Sequence, residues 1–214
     1  AVFIAQGHGG VPVLRIFRHM QQPRIHRRTF IKAMGAAGMA CCFPAATMHA
    51  SGTRRIWGVL LHLSFNMWED WDAPGREMRS YRPYLRFDEA LWTDLLHEMA
   101  SNGLNMVVID LGDGVRYESH PEIAVQNAWS VSKLKDELQK IRSIGLEPIP
   151  KLNFASSHDA WLGEYSRRLS TDAYYKVCAD LIAEVIELFD TPRFFHLGMD
   201  EEDTKNQRDY RYLV

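Results

Sequence analysis

From Arg55 onward the chain repeats one unit: a short apolar run, a polar loop, an amphipathic stretch and a closing glycine. That alternation constrains the fold more than any other feature. Strands separated by helices are joined by crossovers, and crossovers build a parallel sheet covered by helices. The first run, 56–63, reads Ile-Trp-Gly-Val-Leu-Leu-His-Leu and is nearly continuous in apolar residues, as a strand covered on both faces must be. Further strands are expected at 105–111, 147–153 and 193–198. The third contains Pro148 and Pro150, which argues against a central place because each proline removes a ladder donor. Asn102-Gly103-Leu104-Asn105 and Ile144-Gly145-Leu146-Glu147 open strands two and three alike, the mark of a repeated (βα) unit.

Between these runs lie three helical patterns. Asp88 is placed to cap the first, with Leu91, Trp92, Leu95, Leu96 and Met99 at helical spacing and Gly103 at its end. Ser130 precedes the second, whose apolar stripe is Val131, Leu134, Leu138 and Ile141, ending at Gly145. Ser170 or Thr171 opens the third, which carries Tyr174, Val177, Cys178, Leu181, Ile182, Val185, Leu188 and Phe189. The connection 64–87 after strand one is long, and Trp68, Glu69, Asp70, Trp71, Asp72, Arg76 and Tyr81 make it richer in aromatic and charged groups than a plain connection needs. Two folds fit four strands and three helices: the N-terminal half of a (β/α)8 barrel, which when complete takes about 250 residues, or an open doubly wound sheet. The half barrel is preferred, because no glycine-rich phosphate loop follows strand one.

Composition sets outer limits. The 214 residues are 46% apolar and 24% charged, enough for one globular core, and the formal charge of -2 favours neither nucleic acid nor an anionic membrane. Ahead of the repeat, His26-Arg27-Arg28-Thr29-Phe30-Ile31-Lys32 is followed by a mildly apolar Ala/Gly run from Ala33 to Ala40. This segment resembles a twin-arginine (Tat) signal peptide, and the resemblance implies export to the periplasm or beyond, with Arg27 and Arg28 read by the Tat machinery. The run is shorter than the roughly 20 residues that span a bilayer, so no stable membrane anchor is expected. Cys41 could mark a lipoprotein, but Gly38 stands where a large aliphatic residue is expected. Residues 1–50 are accordingly assigned to a leader and 51–214 to the half barrel; residues 1–19, before the first methionine, have no expected role. Cys41 and Cys42 fall in the leader and leave Cys178 alone, so no internal disulfide is expected.

In parallel architectures ligands sit beyond the carboxyl ends of the strands. Those ends carry His62 on strand one, Asp110 and Asp113 with Arg116 on strand two, His158 and Asp159 with Trp161 on strand three, and His196, Asp200 and Glu201 on strand four. The opposite ends carry mainly Gly, Leu and Asn. Adjacent carboxylates at a strand end raise one another's pKa, which keeps one available as a general acid. As pattern alone, Asp200-Glu201-Glu202-Asp203 is equally a solvated acidic loop.

The segment His196-Leu197-Gly198-Met199-Asp200-Glu201 resembles the His-x-Gly-x-Asp-Glu motif of β-N-acetylhexosaminidases and related exo-glycosidases, which closes strand four of their (β/α)8 barrel. The resemblance implies that Glu201 protonates the glycosidic oxygen while Asp200 orients the substrate's own attacking acetamido group, in substrate-assisted hydrolysis that calls for neither cofactor nor metal. Two departures stand out. Met199 replaces a small residue, and strand one ends in His62-Leu63-Ser64 without that family's sugar-binding arginine.

His158, Asp159 and Trp161 either bind and stack on a sugar, or Asp159 caps a short helix with Trp161 in the core. His62 and His196 are substrate contacts or packed histidines. Arg116 binds substrate or pairs with Glu118 or Glu122. Two further functional readings remain: a metal-dependent barrel isomerase or hydrolase using His62, His158, His196, Asp110 and Asp200, and an exported carbohydrate-binding protein without turnover.

Overall fold

The computed structural model of the chain describes residues 3–5, 55–169 and 171–199. Contacts divide the chain into one unit formed by Ala1–Gly9 with Ile56–Val214 and another formed by Gly10–Arg55. Arg27 and Arg28 in the second unit, and Asp200 and Glu201 in the first, lie outside the described residues. The described strands and helices all belong to the first unit.

Five strands form one sheet: β1 (Phe3–Ala5), β2 (Gly58–His62), β3 (Met106–Asp110), β4 (Glu147–Lys151) and β5 (Phe194–His196), in the order β1-β5-β4-β3-β2. β2 to β5 are parallel and adjacent in chain order, as in a (β/α)8 barrel. A doubly wound sheet would place its first strand centrally, so this order excludes it. β1, from a segment with no expected role, pairs antiparallel with β5, Phe3 opposite His196 and Ala5 opposite Phe194.

β4 is central despite its two prolines, and hydrogen-bond parity explains how. In a parallel strand successive backbone groups point to opposite neighbours. Glu147 N–H donates to Asn105 beside β3, whereas Leu152 N–H donates to His196 beside β5. Pro148 and Pro150 therefore turn their missing donors toward β5, where the paired register is the single match Lys151 to His196. The β3 side, matched over five residues from Glu147 to Lys151, loses nothing.

Each helix starts where a side chain can satisfy an orphan amide. Asp88 accepts from Leu91 N–H (2.9 Å) before α1 (Glu89–Ser101), Ser130 from Lys133 N–H (3.1 Å) before α2 (Val131–Ser143), and Thr171 from Tyr174 N–H (3.3 Å) before α3 (Asp172–Leu188). Thr171 is thus the cap of α3. Gly103 and Gly145 sit just past the first two helices at φ +80° and +87°, where a side chain would be strained.

The sheet's two faces divide its residues. Val107, Ile109, Leu111 and Leu152 belong to the main core with Leu134, Leu138 and Ile141 of α2 and Val177, Leu181 and Val185 of α3. Met106, Val108 and Ile149, with Leu60 and Phe194 against them, form a second cluster on the other face. α1 buries Trp92, Leu96 and Met99 but leaves Leu91 and Leu95 exposed, so its apolar arc is wider than the surface it covers.

Candidate functional site

Register aligns the last residues of the four parallel strands: His62 opposite Asp110, Asp110 opposite Lys151, Lys151 opposite His196. Paired residues of a parallel sheet share a face. Asp110 is in step with Val108 and Met106, so this row continues the second cluster's face beyond its apolar layers. The face changes at the carboxyl edge from hydrocarbon to imidazole, carboxylate and ammonium.

Asp110 is the hub. Its Oδ2 meets His62 Nδ1 at 3.0 Å and Lys151 Nζ at 3.4 Å, and accepts from Asn153 Nδ2 at 2.6 Å. A carboxylate this buried, at 1% exposure, requires such partners, because desolvating an unpaired charge costs several kcal/mol. Its Oδ1 has no hydrogen-bond partner among the described residues. Asn153 also orders the next layer: its carbonyl accepts from Trp161 Nε1 at 2.7 Å, and its Cα lies where a Cβ on Gly198 would fall, 2.7 Å away. Gly198 at φ +61° is therefore a double requirement for glycine, and its N–H donates to His196 Nδ1 at 3.0 Å, which leaves the proton of a neutral ring on Nε2. The β5 turn is thereby seated on the end of β4, two residues before Asp200.

Beyond β3, Tyr117 is fully buried and its hydroxyl donates to Gly112 O at 2.8 Å, holding a 3-10 turn at Gly112–Gly114. Asp113 in that turn accepts from Ser64 Oγ and from Asn66 Nδ2 (2.9 Å). Burial pushes its carboxyl up to about 6, against the pull of those two donors. An open groove of about 560 Å3 runs over it, lined among others by Asp70, Tyr81, Glu122, Trp161, Tyr165 and Arg168. Its volume lies in the range of small-molecule sites. Arg167 and Asp70, both on the lining, pair at 2.6 Å and tie the 160–168 segment to the loop after β2.

The residues expected at the site fall into three groups. His62 and Asp110 are bonded, and His196 stands in the same row. His158 joins them through Trp68, whose ring lies 5.8 Å from His158 and 6.4 Å from His62. Trp161 is buried at 3% exposure, as a core role requires, while also lining the groove. Asp159 precedes the 3-10 segment Ala160–Arg168, but its side chain makes no capping bond, contrary to the expected helix cap. The segment is two turns broken at Gly163, φ +58°, and not one helix. Arg116 stands apart: it is exposed, its N–H is tied to Trp129 O, and among the described residues it has no ion pair with Glu118 or Glu122. Asp200 and Glu201 follow the last described residue. Lys151, Asn153, Ser64 and Asn66 are site groups that no sequence motif singles out. Among the described residues, no three His, Cys, Asp or Glu side chains converge as a metal site would need. No described helix is long and apolar enough to cross a membrane.

The fold and this rim define an α/β protein of the (β/α)8-barrel type with a polar site at the strands' carboxyl ends. No family model and no curated protein matches the chain. Among solved structures it is similar to the Streptomyces plicatus N-acetyl-β-hexosaminidase in complex with thio-NAglucal, at TM-score 0.50 and 14% identity over 72% of this chain. A mutant of the Streptomyces plicatus β-hexosaminidase in complex with product, GlcNAc, matches at TM-score 0.50 and 13% identity. The chain spans about a third of those proteins' length, 34% and 35%. At this identity the likeness is one of fold.

Proposed function

We propose that the chain belongs to an exported glycoside hydrolase in which Glu201 is the general acid and Asp200 positions the reacting group. One observation carries the reading: the interior row of strand-end polar groups leads into a β5 turn that glycine geometry seats on Asn153, and Asp200-Glu201 follow that turn directly. The likeness of fold to two glycoside hydrolase structures supports it, as does the six-residue motif. A carbohydrate is the substrate, taken at the carboxyl ends of the strands.

The test uses two substrate classes. Glu201→Gln removes the proton donor while keeping size and hydrogen bonding, and general acid catalysis is worth about 10²–10⁴-fold. Turnover of alkyl glycosides should fall by that amount, and of p-nitrophenyl glycosides, whose leaving group needs little protonation, far less. Asp200→Asn should slow both. Equal slowing of the two classes by Glu201→Gln would show that Glu201 is not the acid. Export rests on Arg27 and Arg28: replacing both with Lys should leave folded precursor in the cytoplasm, and unchanged export on cell fractionation would remove the Tat reading.

A further inference from the structure

His62 lies outside the hexosaminidase-like motif and stands at the strand-one end that lacks an arginine. Its surroundings are nonetheless built. Nδ1 lies 3.0 Å from Asp110 Oδ2, and Asp110 is itself fixed by Asn153 at 2.6 Å and balanced by Lys151 at 3.4 Å. With a neutral imidazole, His62, Asp110 and Lys151 together carry no net formal charge. A carboxylate has no proton to give, so the ring hydrogen sits on Nδ1 and the Nε2 lone pair is left as an acceptor. No described residue hydrogen-bonds Nε2, and 27% of the side chain is exposed. The ring is flanked by Phe65 and Trp68, centroids 5.2 Å and 6.4 Å away. An acceptor of fixed direction bordered by aromatic surface suits a pyranose, which offers a hydroxyl edge and an apolar C–H face.

We propose that His62, oriented by Asp110, accepts a hydrogen bond through Nε2 from a hydroxyl of the saccharide that borders Phe65 and Trp68, and so sets which sugar the site admits. Asp110, Lys151 and Asn153 are positioning residues behind it. The proposal rests on the glycosidase reading and assigns the part of that site where this chain departs from the hexosaminidase pattern.

The test uses the full-length protein with 15N-labelled histidine. The imidazole spectrum should show His62 as the Nδ1–H tautomer, and titration with N-acetylglucosamine should move its Nε2 resonance. His62→Asn keeps an amide N–H at the position of Nδ1, so the bond to Asp110 survives while the acceptor is lost. It should lower kcat/KM on p-nitrophenyl glycosides about tenfold, chiefly through KM, as expected for one lost hydrogen bond, with the unfolding midpoint unmoved. An Nε2–H tautomer overturns the proposal. So does a wild-type enzyme that hydrolyses glycosides while His62→Asn works equally well, an outcome that leaves the glycosidase reading standing. If the wild-type protein hydrolyses no glycoside and the sugar moves no resonance, the glycosidase reading falls first and this one with it.

Discussion

Asp113 shows how one buried carboxyl couples stability to pH. Its folded-state pKa of about 6 lies above the ordinary 3.8, because burial disfavours the anion more than Ser64 and Asn66 favour it. Below pH 3.8 the group is protonated whether the chain is folded or not. As pH rises from there toward 6 the unfolded chain releases the proton first, so folding stability falls across that window and levels off above it. Each pH unit of the window is worth about 1.4 kcal/mol, or roughly 3 kcal/mol in all. Asp113→Asn should remove this slope, since the Ser64 hydroxyl can turn from donor to acceptor and meet the new amide. Urea unfolding at pH 4, 5, 6 and 7 checks it: a variant with the same slope as the wild type would assign the pH dependence elsewhere. Lys151, paired with Asp110, is a residue whose place the repeat does not reveal. Aligning the repeats on Gly103 and Gly145 sets Asp110 against Leu152, whereas the sheet pairs Asp110 with Lys151. A slip of one residue sends a side chain to the other face, so a buried lysine at the centre of the polar row was invisible from the glycines.

At the scale of elements, the strands and helices were legible because each carries its own signal. The caps Asp88, Ser130 and Thr171 and the turn glycines Gly103 and Gly145 sit at their expected places, and each of the four expected strands is two or three residues shorter than expected. Less legible was the tolerance of β4 for Pro148 and Pro150, which depends on which neighbour each amide faces. The 3-10 turns that carry Asp113 and Trp161 also lack a periodic pattern, being held by tertiary bonds such as Tyr117 to Gly112 and Trp161 to Asn153. The β5 turn is the element on which the proposed site depends most. Gly198→Ala would place a methyl group against Asn153 and hold a non-glycine residue at φ +61°. The left-handed conformation alone costs about 1–2 kcal/mol. A destabilisation at or above that value is expected in denaturant unfolding and, under the proposed glycosidase function, loss of glycoside turnover, because the turn that leads to Asp200 and Glu201 must move. A variant with unchanged stability and turnover would mean that the turn does not fix the proposed pair, Asp200 and Glu201.

Across the whole sheet, the two borders differ. β1 covers the outer side of β5, whereas β2 has no described neighbour beyond it. Trp57 O accepts from Asn105 and Met106, and Leu63 N–H donates to Asp110, so the odd-numbered residues of β2 face β3. By parity the backbone groups of Gly58, Leu60 and His62 point away from the sheet. Around them Ile56, Trp57 and Val59 are 46%, 57% and 42% exposed. An apolar strand with no described ladder partner on one edge is a template for pairing with another chain. A polypeptide of these 214 residues alone should therefore self-associate as its concentration rises, measured by light scattering after size-exclusion chromatography. Two substitutions separate edge pairing from general stickiness. Val59→Lys puts charge beside the edge. Leu60→Pro removes an outward donor while sparing the bonds to β3, the same arrangement that β4 uses at Pro148 and Pro150. Both should reduce association with the far-ultraviolet circular dichroism unchanged. If the wild-type polypeptide stays monomeric at every concentration, or if Leu60→Pro associates as strongly as the wild type, the β2 edge is not the contact.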